Sequence, residues 1–373
     1  MLDSGKFAIK MAKVKLNEAD FRLSEQKIND GYCKYVREIT DEEKDRYGYF
    51  PSIEIHSYGD ISDGYLTLRF SIPRLIYGSN LFEIEENDFD KVVQTLIQKL
   101  RCIGIYVSEN DIRDASIWEL HTCQDFNMNN TVGVAQTLQN FHKLLFSKKL
   151  DNSITEYLHD DIEKGNFIEG LKFGLKCKSY EVCFYDKYKQ ICQDDKSREF
   201  MEAVKEQTAI KEVLRFEYRL YNSQAVKREL SNCGLSRNLT FEEIFKKDVV
   251  QRLNKHVWDK LFEPRMKIIS ALGSNEEDIL NRLKSANITG KKAFDIYAAY
   301  HIYQSDGGFS GNTELLGTAS KIISRLIKKL DFLPPSENSA MEKTFKMIKD
   351  RILNPQPMIT YRNLVEQSKA IHY

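Results

Sequence analysis

Strict alternation of apolar and polar residues in the segment EVLRFEYRL is the feature that most restricts the fold. Leu214, Phe216 and Tyr218 fall on one face of an extended chain, whereas Arg215 and Glu217 fall on the other. A period of two residues is typical of a β-strand with one face buried and one face in water. The sequence therefore predicts an antiparallel sheet that helices cover on one face.

Other segments repeat this strand pattern. PSIEIHSYGDISDGYLTLRFSIP is typical of a hairpin, because two alternating runs flank the turn residues GDISDG. A second hairpin is predicted in FIEGLKFGLKCKSYEVCFYDKYKQ, and SIWELHTCQD predicts a single strand. A first strand is expected near the N-terminus, with a bulge near Ala12, where the apolar phase changes.

The last third of the chain has a different period. From residue 224 onwards the apolar residues follow a 3.6-residue period, which is typical of helices. Thr240 and Glu243 form a predicted capping box at the start of one of them. The predicted fold class is α+β, with an antiparallel-sheet domain over residues 1–225 and a helical domain over residues 226–373.

The composition sets broad limits on function. The chain has 373 residues, of which 42% are hydrophobic and 29% are charged, and its formal net charge is zero. A zero net charge counts mildly against a nucleic-acid binder, although one local basic face is sufficient for that function. No stretch approaches the roughly 18 apolar residues of a membrane span. We therefore expect no membrane contact, and seven cysteines without a paired spacing suggest reduced thiols and a cytoplasmic location.

Carboxylates and imidazoles alternate along two of the predicted strands. Glu119 and His121 share a face in SIWELHTCQD, and Glu54 and His56 share a face in SIEIHS. Oxygen and imidazole ligands on neighbouring strands can bind Mg²⁺ or Mn²⁺. Glu54, His56 and Glu217 are alternative third ligands, because the order of the strands is not readable from the sequence. The ordinary alternative for each strand is a solvated face with cross-strand ion pairs.

A tyrosine in YEVCFYDKY is the candidate nucleophile. The hydroxyl of Tyr185 can attack phosphorus and form a covalent ester. Lys187, two residues later, would point the same way in a regular strand. There it would bind the phosphate or lower the pKa of the tyrosine hydroxyl. Tyr188 is close in sequence but would point to the opposite side of the strand.

Three segments together resemble a known family. VCFYDKYKQ, EVLRFEYRL and SIPRLIYGSNLFE are similar to parts of the gene II replication initiators of filamentous bacteriophages and of related plasmid replication proteins. These proteins are rolling-circle replication endonucleases of the HUH superfamily. Pro73, Gly78, Asn80 and Phe82 follow the order of a family region that precedes a helix. The segment LKSANITGKKAF in the helical part is also similar.

The resemblance implies an HUH-endonuclease-like fold and a nicking-joining activity on DNA. It makes Tyr185 the nucleophile, with Lys187 as its partner, and it makes Glu119, His121 and Glu217 the ligands of Mg²⁺ or Mn²⁺. The tyrosine would retain the 5′ phosphate and free a 3′ hydroxyl for the host polymerase. The chain departs from the family pattern, because the histidine–hydrophobic–histidine triplet is absent and Glu119 takes the place of one histidine.

Four basic residues are predicted to neutralise DNA phosphates: Arg215, Arg219, Lys13 and Lys15. The basic segment KIISRLIKK is a candidate DNA-binding helix, and a solvated face on a packed helix explains it equally well. The expected partners are origin DNA, single-stranded or supercoiled, and the replication helicase and polymerase of a bacterial host. The sequence does not distinguish a phage element from a plasmid element.

Two other functions fit the same fold. A non-enzymatic DNA-binding protein that controls replication would carry the tyrosine and the carboxylates as ordinary surface residues. A mobilisation relaxase would share the chemistry but act at a plasmid transfer origin, usually with an attached helicase or primase region. No GKS or GKT phosphate loop is present in the chain.

Overall fold

The computed structural model describes residues 1–17, 20–23, 32–143, 155–160, 171–191, 195–263, 276–304, 325, 328–330, 332 and 340–364. The strands in these ranges are β1 (Leu2–Lys10), β2 (Val14–Leu16), β3 (Arg22–Leu23), β4 (Tyr32–Arg37), β5 (Ser52–Tyr58), β6 (Tyr65–Ser71), β7 (Ile105–Val107), β8 (Ser116–Asn127), β9 (Thr155–Asp160), β10 (Leu171–Lys176), β11 (Tyr180–Asp186) and β12 (Val213–Leu220).

The helices connect these strands and follow them. They are α1 (Asp41–Tyr47), α2 (Ile72–Tyr77), α3 (Phe89–Cys102), α4 (Glu109–Arg113), α5 (Val134–Lys143), α6 (Lys187–Ile191), α7 (Asp195–Thr208), α8 (Ser223–Asn232), α9 (Phe241–Ile244), α10 (Lys247–Leu261), α11 (Glu276–Ser285), α12 (Gly290–Gln304) and α13 (Ala340–Leu353). Short 3-10 helices lie at Met11–Lys13, Ile61–Asp63 and Glu86–Asp88.

The architecture is α+β, with a large antiparallel sheet and helices. The chain divides into two compact units built from alternating segments. Unit 1 comprises Met1–Gln124, Glu217–Asn254 and Pro355–Tyr373, and unit 2 comprises Asp125–Phe216 and Lys255–Asn354. This partition differs from the expected division at residue 225, because residues on both sides of that position contribute to each unit.

The sheet of unit 1 has the strand order β3-β4-β5-β6-β1-β8, followed by the end of β12. β5 and β6 form an antiparallel hairpin in which Ile53 pairs with Leu68 and Ile55 pairs with Leu66. These four side chains are buried, so the first predicted hairpin is confirmed together with its apolar face. β1 pairs with β6 on one side and with β8 on the other, both antiparallel.

A bulge in β8 decides which of its residues face the core. Lys6 of β1 pairs with Glu119, but the next residue, Phe7, pairs with Ile117, so Trp118 is the extra residue. Cross-strand partners share a face of the sheet. Phe7 and Ile117 therefore lie on the core face, whereas Lys6 and Glu119 lie on the opposite face. Regular alternation, as the sequence predicts it, would put Ile117 and Glu119 on the same face of the sheet. Because of the bulge, the two side chains lie on opposite faces.

Phenylalanine rings fill the core under the unit 1 sheet. The ring centroid of Phe241 lies 4.1 Å from that of Phe7, 5.2 Å from that of Phe89 and 6.2 Å from that of Phe70. Helix α3 adds an apolar stripe in which every side chain is nearly or fully buried: Val92, Val93, Leu96, Ile97 and Leu100. The phenylalanine rings and the apolar stripe of α3 therefore lie on one face of the sheet, and polar side chains lie on the other face.

The predicted capping box places Phe241 in this core. The Thr240 side chain accepts a hydrogen bond from the Glu243 backbone N–H at 3.3 Å, and the Glu243 carboxylate accepts one from the Thr240 N–H at 2.8 Å. These reciprocal bonds satisfy two N–H groups that a helix start leaves without partners. The capping box is confirmed, and it fixes α9 at the residue where the phenylalanine enters the core.

The sheet of unit 2 has the strand order β12-β11-β10-β9. β10 and β11 form an antiparallel hairpin with Phe173 opposite Phe184, so the second predicted hairpin is confirmed. The ring of Phe184 contacts Phe141, Phe216 and Phe262 at centroid distances of 4.6–5.6 Å. β11 is buried from Tyr180 to Tyr185, so both faces of this strand are covered. The half-exposed strand that the sequence predicts is therefore a central buried one.

The first strand ends earlier than the sequence predicts. β1 stops at Lys10, and the 3-10 helix at Met11–Lys13 takes the place of the expected bulge near Ala12. β2 then pairs with β7 in a separate two-stranded sheet. Lys13 and Lys15 consequently lie outside the large sheet.

The basic segment KIISRLIKK, residues 321–329, falls largely outside the described residues. Helices α9 to α13 occupy the later part of the chain, and they are divided between the two units. No helix in the described part of the chain is long and apolar enough to cross a membrane.

Replacing Phe241 by alanine should lower the free energy of unfolding by about 3–5 kcal/mol, because the ring is fully buried among other rings. Urea unfolding followed by circular dichroism measures this loss. Phe294→Ala is the matched control, since that ring is 71% exposed and its removal should change stability by less than about 0.5 kcal/mol. Equal losses in both variants would contradict the core described above.

Candidate functional site

Charged and aromatic side chains of unit 1 gather on the sheet face opposite the phenylalanine core. The pairing of Ser4 with His121 and of Lys6 with Glu119 puts these side chains on one surface. We call this surface the polar face and define it by the side chains Ser4, Lys6, Glu54, His56, Arg69, Trp118, Glu119, His121, Glu217 and Arg219. It contains all of the predicted metal ligands.

His121 is at the centre of the first cluster on the polar face. Its Nδ1 is hydrogen-bonded to Ser4 Oγ at 2.9 Å. The ring of Tyr221 lies edge-on to it, with a centroid distance of 6.1 Å. Its Nε2 is buried and has no hydrogen-bond partner. A buried nitrogen without a partner costs free energy, and in a native structure it marks a position that a ligand or a proton can use.

Two arginines hold the carboxylates beside His121. Arg69 on β6 donates to Glu119 on β8 across the intervening strand β1, and Arg219 Nε donates to Glu217 Oε2 at 2.7 Å. The Glu119 side chain is 14% exposed and the Glu217 side chain is 5% exposed. Both carboxylates are therefore neutralised by a neighbouring cation in this arrangement.

The imidazole of His121 is neutral near pH 7. Burial lowers the pKa of His121 to about 4, and the positive charge of Arg219 acts in the same direction. The charges of Glu217 and Glu119 oppose this effect and are weaker. A neutral ring has a nitrogen lone pair, which is the form that accepts a proton or binds a metal ion.

Glu54 is at the centre of a second cluster. Its carboxylate accepts hydrogen bonds from Lys6 Nζ at 2.6 Å and Lys34 Nζ at 2.7 Å, and His56 Nε2 lies 3.0 Å from it. The bond with His56 and the two lysines hold the pKa of Glu54 far below its usual range, although burial opposes this. The Tyr32 hydroxyl is hydrogen-bonded to His56 Nδ1. The Tyr32 hydroxyl, the His56 imidazole and the Glu54 carboxylate are thus joined by hydrogen bonds, and the imidazole can accept the proton of the hydroxyl.

Aromatic rings adjoin both clusters. The ring of Trp118 lies 5.3 Å from the His56 ring and 5.7 Å from the Tyr65 ring. Tyr58, which is 77% exposed, lies 5.0 Å from Tyr32. Rings that lie beside cations on an open surface are the usual platform for the bases of single-stranded nucleic acid.

The sheet order separates the alternative third metal ligands. Glu217 lies on β12, which is next to β8, the strand of Glu119 and His121. Glu54 and His56 lie on β5, and β6 and β1 come between β5 and β8. Three strand spacings correspond to about 14 Å at about 4.8 Å each. Glu217 therefore belongs to the His121 cluster, and the other two residues belong to the second cluster.

The His121 cluster does not form a metal site in this arrangement. The described residues contain no group of three or more His, Cys, Asp or Glu side chains arranged to hold a metal ion. Glu119 and Glu217 are occupied by arginines, and His121 Nε2 is the ligand atom that is open. The predicted ligands are thus brought together on one surface, but their present bonds do not fit a resident ion.

The predicted nucleophile lies in the other unit. Tyr185 is in β11 of unit 2 and is only 5% exposed. β11 ends at Asp186, and Lys187 begins α6, so the strand alternation that would align Lys187 with Tyr185 does not continue. Lys187 is fully buried, and its Nζ donates to Asp125 Oδ2 at 2.6 Å. This burial does not fit a lysine that binds phosphate at the surface.

Asp125 forms a buried ionic network that the sequence reasoning missed. It accepts hydrogen bonds from Lys187 and from Arg215, whose Nε lies 2.6 Å from Oδ1 and whose Nη2 lies 3.1 Å from Oδ2. Burial disfavours the charged carboxylate, but the two cations keep the pKa of Asp125 below its usual value. The Arg215 side chain is 2% exposed, so the prediction that it contacts DNA phosphates needs correction.

The remaining predicted DNA contacts lie at the surface of unit 1. Arg219 is on the polar face and its side chain is 23% exposed. Lys13 forms an ion pair with Asp111 at 2.7 Å, and this hydrogen bond raises the pKa of Lys13. Lys15 is exposed on β2 of the small sheet. Contact of these three residues with DNA stays a prediction.

Sequence reasoning also missed Lys6 and Trp118 on the polar face. The charge of Lys6 in the alternating segment GKFAIK was an available signal for the polar face of a strand. Trp118 had no such signal, because the bulge that turns it towards this face depends on pairing with β1. Asp125 had no such signal either, because it is the last residue of the predicted strand SIWELHTCQD, and its burial depends on the continuation of β8 to Asn127.

Comparison with known proteins adds no relative. No family model, no curated protein and no solved structure matches this chain.

Asp125→Asn should destabilise the protein by about 3–5 kcal/mol, because two buried cations lose their anion. Urea unfolding measures the change. The control is Glu202→Gln in unit 2, which breaks an exposed ion pair with Lys205 on α7 and should cost about 0–1 kcal/mol. A loss for Asp125→Asn that is no larger than the loss for the control would argue against the buried network.

Stability in metal-free buffer should fall between about pH 6.5 and pH 4 because of His121. In this window the unfolded chain binds a proton at the imidazole and the folded chain does not, so acid favours unfolding. A difference of about 2.5 pKa units corresponds to at most about 3 kcal/mol. Urea unfolding at a series of pH values should show this component in the wild type and lack it in His121→Gln. An unchanged pH dependence in His121→Gln would mean that the histidine is not shielded in this way.

Proposed function

We propose that this protein cuts one strand of DNA by tyrosine attack and later rejoins it, as an initiator of rolling-circle replication. The observation that carries the proposal is the polar face, where stackable rings and cations adjoin a cluster of two carboxylates and a neutral imidazole. The resemblance of the three quoted segments to gene II-type initiators supports the same reaction. The proposed setting is the cytoplasm of a bacterial host, with the host replication helicase and polymerase as partners.

Single-stranded DNA suits the polar face better than a duplex does. Tyr58, Tyr65 and Trp118 offer faces for stacking, and bases are available for stacking only when they are unpaired. Arg69, whose side chain is 57% exposed, and Arg219 offer charge to the phosphates. When these two arginines bind a DNA phosphate, they would no longer pair with Glu119 and Glu217. Both carboxylates would become free in the same step.

The chemistry requires one nucleophile and no nucleotide cofactor. The tyrosine hydroxyl gives up its proton and its oxygen bonds to phosphorus, the bond from phosphorus to the 3′ oxygen breaks, and that oxygen takes up a proton to become a 3′ hydroxyl. The 5′ phosphate stays on the tyrosine as an ester, which conserves the bond for the later joining step. The reverse attack by a 3′ hydroxyl rejoins the strand and restores the tyrosine.

Two tyrosines are candidates for this role. Tyr185 is the nucleophile that the family resemblance predicts, but its burial requires a local opening before DNA reaches it. Tyr32 is hydrogen-bonded to His56 on the polar face, so its hydroxyl already has a proton acceptor, which Glu54 orients. Variants of both residues are therefore needed.

A requirement for Mg²⁺ or Mn²⁺ is part of the proposal. Such an ion would polarise a phosphoryl oxygen. Glu119, His121 and Glu217 are its proposed ligands, and binding would require both carboxylates to leave their arginines.

A non-enzymatic DNA-binding protein is the second candidate function. The burial of Tyr185 favours it, since a tyrosine closed off on both faces of a strand is an ordinary core residue. A mobilisation relaxase would use the same reaction on a transfer origin.

The deciding assay mixes the protein with supercoiled or single-stranded origin-bearing DNA and Mn²⁺ and resolves the products on denaturing gels. We expect a nicked strand with protein attached, lost in Tyr185→Phe and reduced at least tenfold in Glu119→Gln or with EDTA. Tyr188→Phe is the matched control and should nick normally.

Loss of the adduct in Tyr32→Phe with full activity of Tyr185→Phe would move the nucleophile to the polar face. Tight DNA binding without nicking by any variant on any origin would establish the non-enzymatic function instead.

A further inference from the structure

A cavity of about 370 Å³ opens at one end of the polar face in unit 1. It lies where β6 and β8 begin, between Tyr65 and Trp118 on one side and helix α8 on the other. Its volume is at the lower end of the range for small-molecule sites. Trp118 belongs both to this cavity and to the polar face, and the Tyr65 ring lies beside it.

The inner wall of the cavity is aromatic and apolar. The rings of Trp118 and Tyr65 are 5.7 Å apart and tilted by 52°, and both are partly exposed. Val226 and Leu230 on α8 add apolar surface. A flat ring of a ligand can therefore stack against the exposed part of the Trp118 or Tyr65 ring, with the apolar side chains of α8 on its other side.

The rim of the cavity is polar and carries two cations. Lys227 and Arg237 line it, both are exposed, and neither has an ion-pair partner among the described residues. Asn238 and Asp114 also line it and offer a donor and acceptors for hydrogen bonds. Helix α8 presents Val226 to the wall and Lys227 to the rim at consecutive positions.

This combination points to one class of ligand. A nucleotide has a flat ring that stacks, edges that form hydrogen bonds, and a phosphate that needs positive charge. A second cavity of unit 1, of about 200 Å³, has two carboxylates, Glu85 and Glu86, against one lysine, Lys247, on its lining, and it has no tryptophan or tyrosine ring for stacking.

We infer that the cavity holds one unstacked base of single-stranded DNA, with Trp118 as the stacking partner and with Lys227 and Arg237 on the adjacent phosphate. The inference rests on the proposed function for its choice of DNA as the polymer. A base held in the cavity would fix the register of the DNA strand on the protein, because it determines which phosphates lie against the polar face.

Tryptophan fluorescence tests this directly. The chain has two tryptophans, and Trp258 is fully buried in unit 2, so quenching on addition of DNA reports on Trp118. The probes are fluorescein-labelled oligonucleotides of about 12 nucleotides, a length within the usual site size, made of dT, dA or dC. We expect quenching that saturates together with the anisotropy of the labelled DNA.

Variants and modified DNA then locate the contact. Trp118→Leu should abolish the quenching and weaken binding about tenfold, the loss expected for one stacked base. A scan of a single abasic nucleotide along the oligonucleotide should find one position that weakens wild-type binding by a similar factor and does not weaken Trp118→Leu further. Tyr106→Leu, at a ring that is 41% exposed on β7, is the matched control and should bind as the wild type does.

The cations give a second measurement that does not depend on the folding of a tryptophan variant. Lys227→Gln and Arg237→Gln change exposed side chains, and each should reduce the slope of log affinity against log salt by about 0.7. Unchanged slopes together with unchanged affinity in Trp118→Leu would overturn the inference. DNA binding in the wild type without any quenching would overturn it as well.

The outcomes also separate this inference from the proposed function. Trp118-dependent binding without any nicking would sustain the base site and reject the nuclease. Nicking that is unaffected by Trp118→Leu would reject the base site and sustain the nuclease. Absence of all binding to single-stranded DNA would reject the base site, and the nicking assay on supercoiled origin DNA would then decide the nuclease separately.

Discussion

Burial of Phe7, Phe70 and Phe241 against one face of the unit 1 sheet determines where its polar side chains lie. Since side chains alternate along a strand, each residue next to a buried one must face the other way. Lys6 faces away from the core because its neighbour Phe7 faces the core. Glu119 lies on the same face as Lys6 because the two residues are paired across the strands. The polar face therefore depends on the packing of rings beneath it, and a change in that packing would reach the charged residues above.

The charges on this face, and those inside unit 2, are arranged so that carboxylates have cationic partners. Glu54 binds two lysines, Glu119 and Glu217 each bind an arginine, and Asp125 binds a lysine and an arginine. Paired carboxylates at low exposure are stable but chemically quiet. Under the proposed function, a reaction at Glu119 or Glu217 would begin with the exchange of an arginine for a substrate phosphate or a metal ion, so that substrate binding and activity would be coupled.

The sequence predicted those parts of the fold that depend on neighbouring residues. Both hairpins and the capping box at Thr240 were readable because alternation, turn residues and a helix start are local signals. The bulge at Trp118 and the burial of Lys187 and Arg215 were not readable, because each depends on a strand distant in sequence. The grouping of Glu217 rather than Glu54 with His121 likewise required the strand order. For the site, residue types could be predicted, but not which of them meet.

The alternating segments of the two units have a consequence for the synthesis of the chain. Unit 2 lacks part of its structure until residue 354 has been added, and unit 1 waits for the segment after that. A chain that stops near residue 225 leaves neither unit whole. As the ribosome adds residues in order, β8, which carries Glu119 and Asp125, emerges after its neighbour β1 but lacks its other neighbour, β12, until residue 220 has been added. Nascent chains of this protein are therefore expected to expose unpaired sheet edges for a longer time than chains whose domains follow one another. They would need protection from association during that time.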